Sequence, residues 1–145
     1  MNGRKTILLV EDNPNDVELT LEALAGHRVA NEIVVLHDGA EALDYLYRRG
    51  CFEDRAGGSP AVVLLDLKMP KVDGLTVLKT IKADPALKTI PIVMLTSSRE
   101  EHDLVESYTA GANAFVVKPV DFEQFSEAVR RIGYFWAVLN ERPPL

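Results

Sequence analysis

Four ionisable side chains stand at the ends of three short apolar runs of the sequence. Glu11 and Asp12 follow the run 7–10, Asp66 follows the run 62–65, and Lys118 follows the run 114–117. Short apolar runs bounded by turn residues are typical of fully buried strands in parallel sheets, whose ligand sites lie outside the carboxyl ends of the strands. If these runs are neighbouring strands, three acids and one ammonium converge at one place. Crowded carboxylates repel one another and attract a divalent cation, so the pattern predicts a site for phosphoryl chemistry.

The types of these residues suggest separate roles. Asp66 is the best candidate nucleophile, because it precedes a turn rather than a helix and because carboxylates form acyl phosphates. Asp12 is expected to bind Mg²⁺, with Glu11 acting as a ligand or orienting a bound water. Lys118 is expected to pair with Asp66 before the reaction and with a phosphoryl oxygen after it. Thr96, at the end of another apolar run, offers a hydroxyl to the phosphoryl group.

Strand-like runs alternate five times with amphipathic helical segments. The predicted strands are about 6–10, 32–36, 62–66, 92–95 and 114–117. The predicted helix starts are Asn13-Pro14, Asp38, Asp73-Gly74, Ser98 and Asp121, and the fourth helix is expected to end at Gly111. This alternation predicts an α/β fold with a five-stranded, parallel, doubly wound sheet. Residues 50–60 are expected to form one long surface loop.

Length, charge and cysteine content exclude several classes of protein. The 145 residues suit a single domain, 1–145, with a core of about 5–132 and a helical extension of about 133–145. A net charge of −6 argues against direct binding of nucleic acid. Cys51 is the only cysteine, which suits a reducing cytoplasm, and the sequence suggests neither a signal peptide nor a membrane span.

Four motifs together resemble the receiver domain of two-component response regulators. They are Leu-Val-Glu-Asp-Asn (9–13), Leu-Leu-Asp-Leu-Lys-Met-Pro-Lys-Val-Asp-Gly (64–74), Pro-Ile-Val-Met-Leu-Thr-Ser (91–97) and Ala-Gly-Ala-Asn-Ala-Phe-Val-Val-Lys-Pro (110–119). The motifs occur in the order of that family and fall on the matching predicted elements. The resemblance covers nearly the whole chain and implies a flavodoxin-like strand order, 2-1-3-4-5.

The resemblance also implies roles for residues of the site. Asp66 would accept a phosphoryl group, and Mg²⁺ would be bound by Asp12, Asp66 and the backbone carbonyl of Lys68, with Glu11 acting mainly through water. Thr96 and Phe115 would form a switch pair, in which the aromatic ring fills the space that the threonine hydroxyl vacates. The peptide bond before Pro119 would be cis, which is otherwise a minority form.

The same resemblance implies the partners. The phosphoryl donor would be a sensor histidine kinase, and the loop at 50–60 and the Phe-Trp pair at 135–136 are similar to receivers that partner phytochrome-type kinases. Because no further domain follows, a stand-alone receiver is expected. Apolar residues surround the end of the last helix, which predicts a homodimer through that helix, the fourth helix and the fifth strand. Phosphorylation would change this same surface.

Three alternative functions fit parts of the pattern. An aspartate-nucleophile phosphatase would carry Asp-x-Asp after the first strand, where this chain has Glu11, Asp12 and Asn13. A flavodoxin-type cofactor carrier would need a neutral loop there to bind a phosphate through backbone N–H groups. A scaffold that keeps the fold without being phosphorylated would not need the complete acid, threonine and lysine set. The sequence therefore favours a signalling module over a metabolic enzyme.

Overall fold

The protein is described here by a computed structural model. It describes residues 6–25, 32–55, 58–67, 69, 71–96, 106–117, 123, 127, 130 and 131, and for residues 25, 96 and 117 the backbone alone. The predicted starts of the fourth and fifth helices therefore lie outside the described residues, as do Lys68, Lys118 and Pro119.

Strands and helices alternate along the described chain. The elements are β1 (Thr6–Val10), α1 (Pro14–Ala25), β2 (Glu32–Leu36), α2 (Gly39–Tyr47), β3 (Val62–Asp66), α3 (Gly74–Ala83), β4 (Ile92–Thr96) and β5 (Ala114–Val117). The strands form one five-stranded sheet in the order β2-β1-β3-β4-β5, and all four pairings are parallel. The predicted α/β fold, its doubly wound parallel sheet and its strand order are confirmed.

The register of the sheet sets the level at which each strand ends. Val10 of β1 is paired with Leu65 of β3, so that the following residues, Glu11 and Asp66, stand at the same level. Asp66 is in turn paired with Leu95 of β4. The acids that follow β1 and end β3 therefore lie at the same edge of the sheet, close to one another.

Two apolar clusters cover the two faces of the sheet. Alternate residues of β1, Leu8 and Val10, face α2 and α3, whereas Ile7 and Leu9 face α1. All four of these side chains are buried, as are all five residues of β3. Burying one such side chain contributes about 1.5–3 kcal/mol to the stability of the fold. The packing of β1 and β3 therefore fixes the positions of the residues that follow these strands.

Capping side chains fix the helix starts where the sequence predicts them. Asn13 Oδ1 accepts hydrogen bonds from the backbone N–H groups of Asn15 (2.9 Å) and Asp16 (3.3 Å) at the start of α1. Asp38 caps α2, and Asp73 caps α3 by accepting from Thr76 N at 2.9 Å. Each cap satisfies N–H groups that the first helical turn leaves without partners.

The last strand is less buried than its apolar run predicts, so that prediction was wrong. Ala114, Phe115 and Val116 are half-buried because β5 lies at an edge of the sheet. β5 is also separated from β3 by β4, so the three runs that precede the ionisable residues are not all neighbours. An apolar run bounded by turns does not distinguish a central strand from an edge strand.

The segment between α2 and β3 has more structure than a plain surface loop. Gly50–Phe52 form a 3₁₀ turn. The Arg55 guanidinium lies 4.0 Å from the centre of the Tyr45 ring, and its Nε donates to Tyr45 O at 2.7 Å. Arg55 Nη1 also donates to Gly58 O at 3.2 Å. These contacts fasten the segment to the end of α2.

The end of the fourth helix is as predicted. Residues 106–109 are helical, and Gly111 adopts a φ of +108°, which favours glycine and ends the helix. Within the part of the chain that the structure describes, no helix has both the length and the apolar character needed to cross a bilayer.

Candidate phosphoacceptor and metal site

Three carboxylates meet at the carboxyl ends of the two central strands. Glu11, Asp12 and Asp66 each place a carboxylate oxygen within 4.8 Å of the other two. Glu11 is 2% exposed and Asp66 is 8% exposed, whereas Asp12 is exposed to solvent. The site is thus a pair of buried acids with one acid open to water.

The turn after β1 positions two of these acids. Glu11 continues the line of β1, and its backbone N–H donates to Leu36 O at 3.0 Å. Its side chain turns back toward the chain, where Oε2 accepts from Asn13 N at 3.3 Å. Because Asn13 also caps α1, Asp12 is held between the end of a strand and the start of a helix.

The backbone of Asp66 packs against Gly74, which the sequence predicts only as part of a helix start. A Cβ atom on Gly74 would lie 2.1 Å from the backbone oxygen of Asp66, closer than any real contact allows. Gly74 N also donates to Leu67 O at 2.8 Å. The start of α3 therefore packs directly on the backbone of the candidate phosphoacceptor. The Asp-Gly pair at 73–74 is the only sequence signal for this contact.

The donor set fits a hard divalent cation. Carboxylate oxygens are the preferred ligands of Mg²⁺, Mn²⁺ and Ca²⁺, with metal–oxygen distances of about 2.0–2.6 Å. Oxygens that share such an ion lie up to about 4–5 Å apart, a range that matches the spacing of Glu11, Asp12 and Asp66. Gathering three acids without a cation would be unfavourable, because like charges at this spacing repel one another.

The remaining candidate residues are placed less completely. The backbone of Thr96 ends β4 and is paired with Val117, and the side chain of Thr96 lies outside the described atoms. Phe115 is half-buried and packs against the cluster between the sheet and helices α2 and α3. Lys118, Lys68 and Pro119 lie outside the described residues, so their predicted roles stay predictions. The described residues contain no cis peptide bond.

Comparison with known proteins gives the family of this chain and its relatives. The response regulator receiver domain family matches residues 7–130. Response regulator Rcp1 of Synechocystis sp. is 38% identical over 135 residues, which are 93% of this chain and 90% of Rcp1. The crystal structure of Rcp1 in its Mn²⁺-bound form has a TM-score of 0.89 at 37% identity and covers 97% of this chain and 99% of that one.

Two further solved structures are similar over almost the full chain. The phosphorylated cyanobacterial phytochrome response regulator RcpA has a TM-score of 0.90 at 40% identity, covering 98% of this chain and 100% of RcpA. The bacteriophytochrome response regulator AtBRR has a TM-score of 0.78 at 63% identity, covering 97% of this chain and 100% of AtBRR. The family match includes the acidic cluster and all described strand residues except Thr6, and the protein belongs to the response regulator receiver domain family.

Proposed function

We propose that this protein is a phosphorylation-dependent signalling module whose phosphoacceptor is Asp66. The observation that carries the proposal is the convergence of Glu11, Asp12 and Asp66 at the carboxyl ends of adjacent strands. This chain resembles RcpA, whose structure is phosphorylated, and Rcp1, whose structure contains Mn²⁺. Both likenesses support the binding of a phosphoryl group and a divalent cation at the cluster. The task of the protein is to carry a signal rather than to turn over a metabolite.

Asp66 supplies the nucleophile. One of its carboxylate oxygens attacks the phosphorus of a phosphohistidine on a sensor histidine kinase; a P–O bond forms, the P–N bond breaks, and the electron pair returns to the imidazole. Asp66 is 8% exposed and Asp12 beside it is open to solvent, so we expect the phosphoryl group to approach from the side of Asp12.

Mg²⁺ is the cofactor we propose for this site. Asp12, Asp66 and the backbone carbonyl of Lys68 would hold it, with Glu11 acting mainly through water. When bound, the ion offsets the repulsion among the acids and the charge of the incoming phosphoryl oxygens. The buried, oxygen-only character of the cluster supports a hard cation over a soft one.

Thr96 and Phe115 are proposed to carry the signal from the site to the surface. Thr96 ends the strand next to Asp66, and Phe115 lies on the neighbouring strand at the level of Met94. Phe115 packs against the core and is only half-buried. Its ring can therefore move between a more buried and a more exposed position. Lys118, which follows β5, would bind a phosphoryl oxygen and hold the phosphorylated arrangement.

The proposed donor is a phytochrome-type sensor histidine kinase in the cytoplasm. The support is that RcpA is a phytochrome response regulator and AtBRR a bacteriophytochrome response regulator, each similar over nearly the full chain. The exposed free thiol of Cys51 suits a reducing compartment. The surface that signals would be the fourth helix, β5 and the last helix.

The proposal is tested by incubating the protein with Mg²⁺ and a small phosphodonor and measuring its intact mass. We expect one added phosphoryl group on the wild type and none on Asp66→Asn. Asp54→Asn is the matched control, because it makes the same change at an exposed acid of the segment between α2 and β3. Equal phosphorylation of wild type and Asp66→Asn would contradict the assignment of Asp66. No phosphorylation of the wild type would contradict the function itself.

A homodimer through the signalling surface is the second part of this proposal. Tyr108, on the helical segment 106–109, is 50% exposed, so part of its ring is available for contact with a second copy of the chain. Light scattering at tens of micromolar protein, with and without phosphodonor, should detect a dimer in at least one state. A monomer in both states would contradict the dimer and leave the phosphoacceptor role untouched.

A further inference from the structure

The loop that follows Asp66 is pressed against the start of α2. A Cβ atom on Gly39 would lie 2.0 Å from the backbone oxygen of Val72, so only glycine permits this approach. Two residues later, Gly74 packs on the backbone oxygen of Asp66. Residues 72–74 are therefore confined between the start of α2 and the backbone of the candidate phosphoacceptor.

The two carboxylate oxygens of Asp38 make different contacts, one within α2 and one with the loop after Asp66. Its Oδ1 accepts from the backbone N–H of Glu41 at 2.8 Å and caps α2. Its Oδ2 lies 3.5 Å from Lys71 Nζ, across the contact in the loop after Asp66. The Asp38 side chain is 12% exposed and that of Lys71 is 70% exposed. One carboxylate thus joins the turn after β2 to the loop after β3.

Lys71 adopts a backbone conformation that needs such support. Its φ is +65°, in the left-handed region that residues with a Cβ atom rarely adopt. A non-glycine residue keeps this conformation only where its surroundings favour it. Among the described residues, the contacts that favour it here are the ion pair with Asp38 and the packing of Val72 on Gly39.

We infer that Asp38 is a positioning residue of the phosphoacceptor site, acting through Lys71 on residues 71–74, which pack on the backbone of Asp66. The inference rests on the proposed function, because Asp66 is the proposed phosphoacceptor and a proposed metal ligand. Loss of the ion pair frees Lys71 to leave its left-handed conformation, and the packing of Gly74 that holds Asp66 in place is then weakened. Asp38 is not itself one of the proposed metal ligands.

The first test measures Mn²⁺ affinity by the paramagnetic resonance of the free ion, together with thermal unfolding. In Asp38→Asn the capping oxygen is retained and the charge that pairs with Lys71 is lost. We expect affinity to fall about two- to fivefold, the range for an exposed ion pair, with little change in the unfolding temperature. Asp73→Asn is the control, because it makes the same change at a helix cap two residues after Lys71 and leaves Lys71 paired with Asp38.

A second test separates backbone positioning from the electric field of Lys71. Lys71→Ala and Lys71→Gly remove the same positive charge, and by charge alone both should bind Mn²⁺ more tightly. The positioning role predicts the opposite for Lys71→Ala, which keeps a disfavoured φ without its support. Lys71→Gly tolerates that φ and should recover most of the lost affinity.

The outcomes distinguish this inference from the proposed function. Equal affinity in Asp38→Asn and Asp73→Asn, or tighter binding by both Lys71 variants to the same extent, would overturn the positioning role. In that case wild-type binding of Mn²⁺ and phosphorylation of Asp66 would still support the proposed function. A wild-type protein that binds no Mn²⁺ would overturn both. Weaker binding by Asp38→Asn and Lys71→Ala, with recovery in Lys71→Gly, supports the positioning role.

Discussion

The two ends of the sheet differ in the surroundings of their charged side chains. At the carboxyl ends of β1 and β3, three acids lie within 4.8 Å of one another, and two of them are buried. At the amino ends of β4 and β5, the ammonium of Lys82 donates to three neutral oxygens. These acceptors are Lys88 O (3.0 Å), Ile90 O (2.8 Å) and Asn113 Oδ1 (3.2 Å). One end gathers like charges, and the other surrounds a single charge with acceptors.

Lys82 illustrates what a purely structural charge requires. Burial lowers the pKa of its ammonium, because the charged form loses water. The three acceptors offset this loss and tie the end of α3 to the starts of β4 and β5. Asn113 Oδ1 also accepts from Ile92 N at 2.8 Å, so a single oxygen joins both strands.

The difference separates stability from function. A charged group that serves the fold is surrounded by hydrogen-bond acceptors or donors of the protein, whereas carboxylates of like charge that lie together are stabilised further by a cation that binds them. We therefore expect changes at the carboxyl ends to alter phosphorylation or metal binding, and changes at the amino ends to alter stability alone. The following predictions test this, beginning with the largest effect.

Among the variants outside the three acids, Gly74→Ala should cause the largest loss of function. The added Cβ atom would meet the backbone of Asp66 at 2.1 Å, and backbone cannot move aside as a flexible side chain does. We expect phosphorylation to slow by about tenfold or more and stability to fall by about 1–3 kcal/mol, as for an overpacked site. Timed intact-mass measurements and urea unfolding provide the two values.

Gly111→Ala is the counterpart at the other end of the sheet. Its φ of +108° is strained for alanine, and its Cβ atom would meet Lys82 Cγ at 2.8 Å. Stability should fall by about 1–3 kcal/mol, while Asp66 should be phosphorylated at the wild-type rate. A slower Gly111→Ala, matching Gly74→Ala, would remove the distinction between the two ends.

Lys82→Met should destabilise the protein without affecting the site. The variant keeps the apolar stem and leaves the oxygens of Lys88 and Ile90 without this donor. Loss of hydrogen bonds from a charged donor is expected to cost about 1.5–3 kcal/mol in urea unfolding. Mn²⁺ affinity should stay at the wild-type value, and a clear change in it would show that the two ends are coupled.

Asp12→Asn should raise stability in the absence of a divalent cation and weaken the binding of Mg²⁺. Without a divalent cation, removing one of three crowded charges should raise stability by about 1 kcal/mol, the size of such a repulsion near water. With Mg²⁺ at about a hundredfold excess over Kd, the wild type should gain about 2.7 kcal/mol, and the variant much less. Thermal unfolding with Mg²⁺ and with a chelator measures both effects. A variant less stable than wild type in chelator would contradict the repulsion.

Tyr47→Phe should have the smallest effect, and one that depends on pH. Tyr47 OH donates to Asp84 Oδ2 at 2.6 Å and links the ends of α2 and α3. This bond lowers the pKa of Asp84 and raises the pKa of Tyr47. Its stabilisation is therefore present above the ordinary carboxyl value of 3.8 and is lost as pH falls through the lowered pKa. It is likewise present below the ordinary tyrosine value of 10.0 and is lost as pH rises through the raised pKa.

The measurement is the unfolding temperature of Tyr47→Phe and wild type across pH. Both groups are near solvent, so we expect a difference of about a degree or two near neutral pH that shrinks in strong acid. A difference that grows as the solution is made acidic would contradict the role of Asp84 as the acceptor. Phosphorylation should be the same in both proteins.

Local residue patterns predicted most of the fold. The strands at 6–10, 32–36, 62–66 and 114–117 have the predicted bounds, and the fourth extends by one residue to Thr96. Asparagine or aspartate before a helix predicted the caps of α1, α2 and α3, because these side chains satisfy the free N–H groups of the next turn. These features depend on neighbours in sequence, so the sequence contains what is needed to predict them.

Features that depend on distant neighbours were not predictable in the same way. The half-buried state of β5 follows from its place at the sheet edge, and the tie of Arg55 to Tyr45 follows from how the chain folds back after α2. The close approaches of Gly74 to Asp66 and of Gly39 to Val72 are contacts between separate elements. A glycine in an Asp-Gly pair does not indicate which backbone it will touch.

By itself, the sequence determined the elements, their parallel arrangement and the identity of the acids, because periodicity, capping and strand-end position are local properties. The tertiary structure decided the register that sets Glu11 level with Asp66 and brings three carboxylates within reach of one cation. It also brought Asp38, which follows a different strand, into an ion pair with Lys71 after β3. Distances between elements are fixed only when the sheet and its two apolar faces have packed, and those distances make the site.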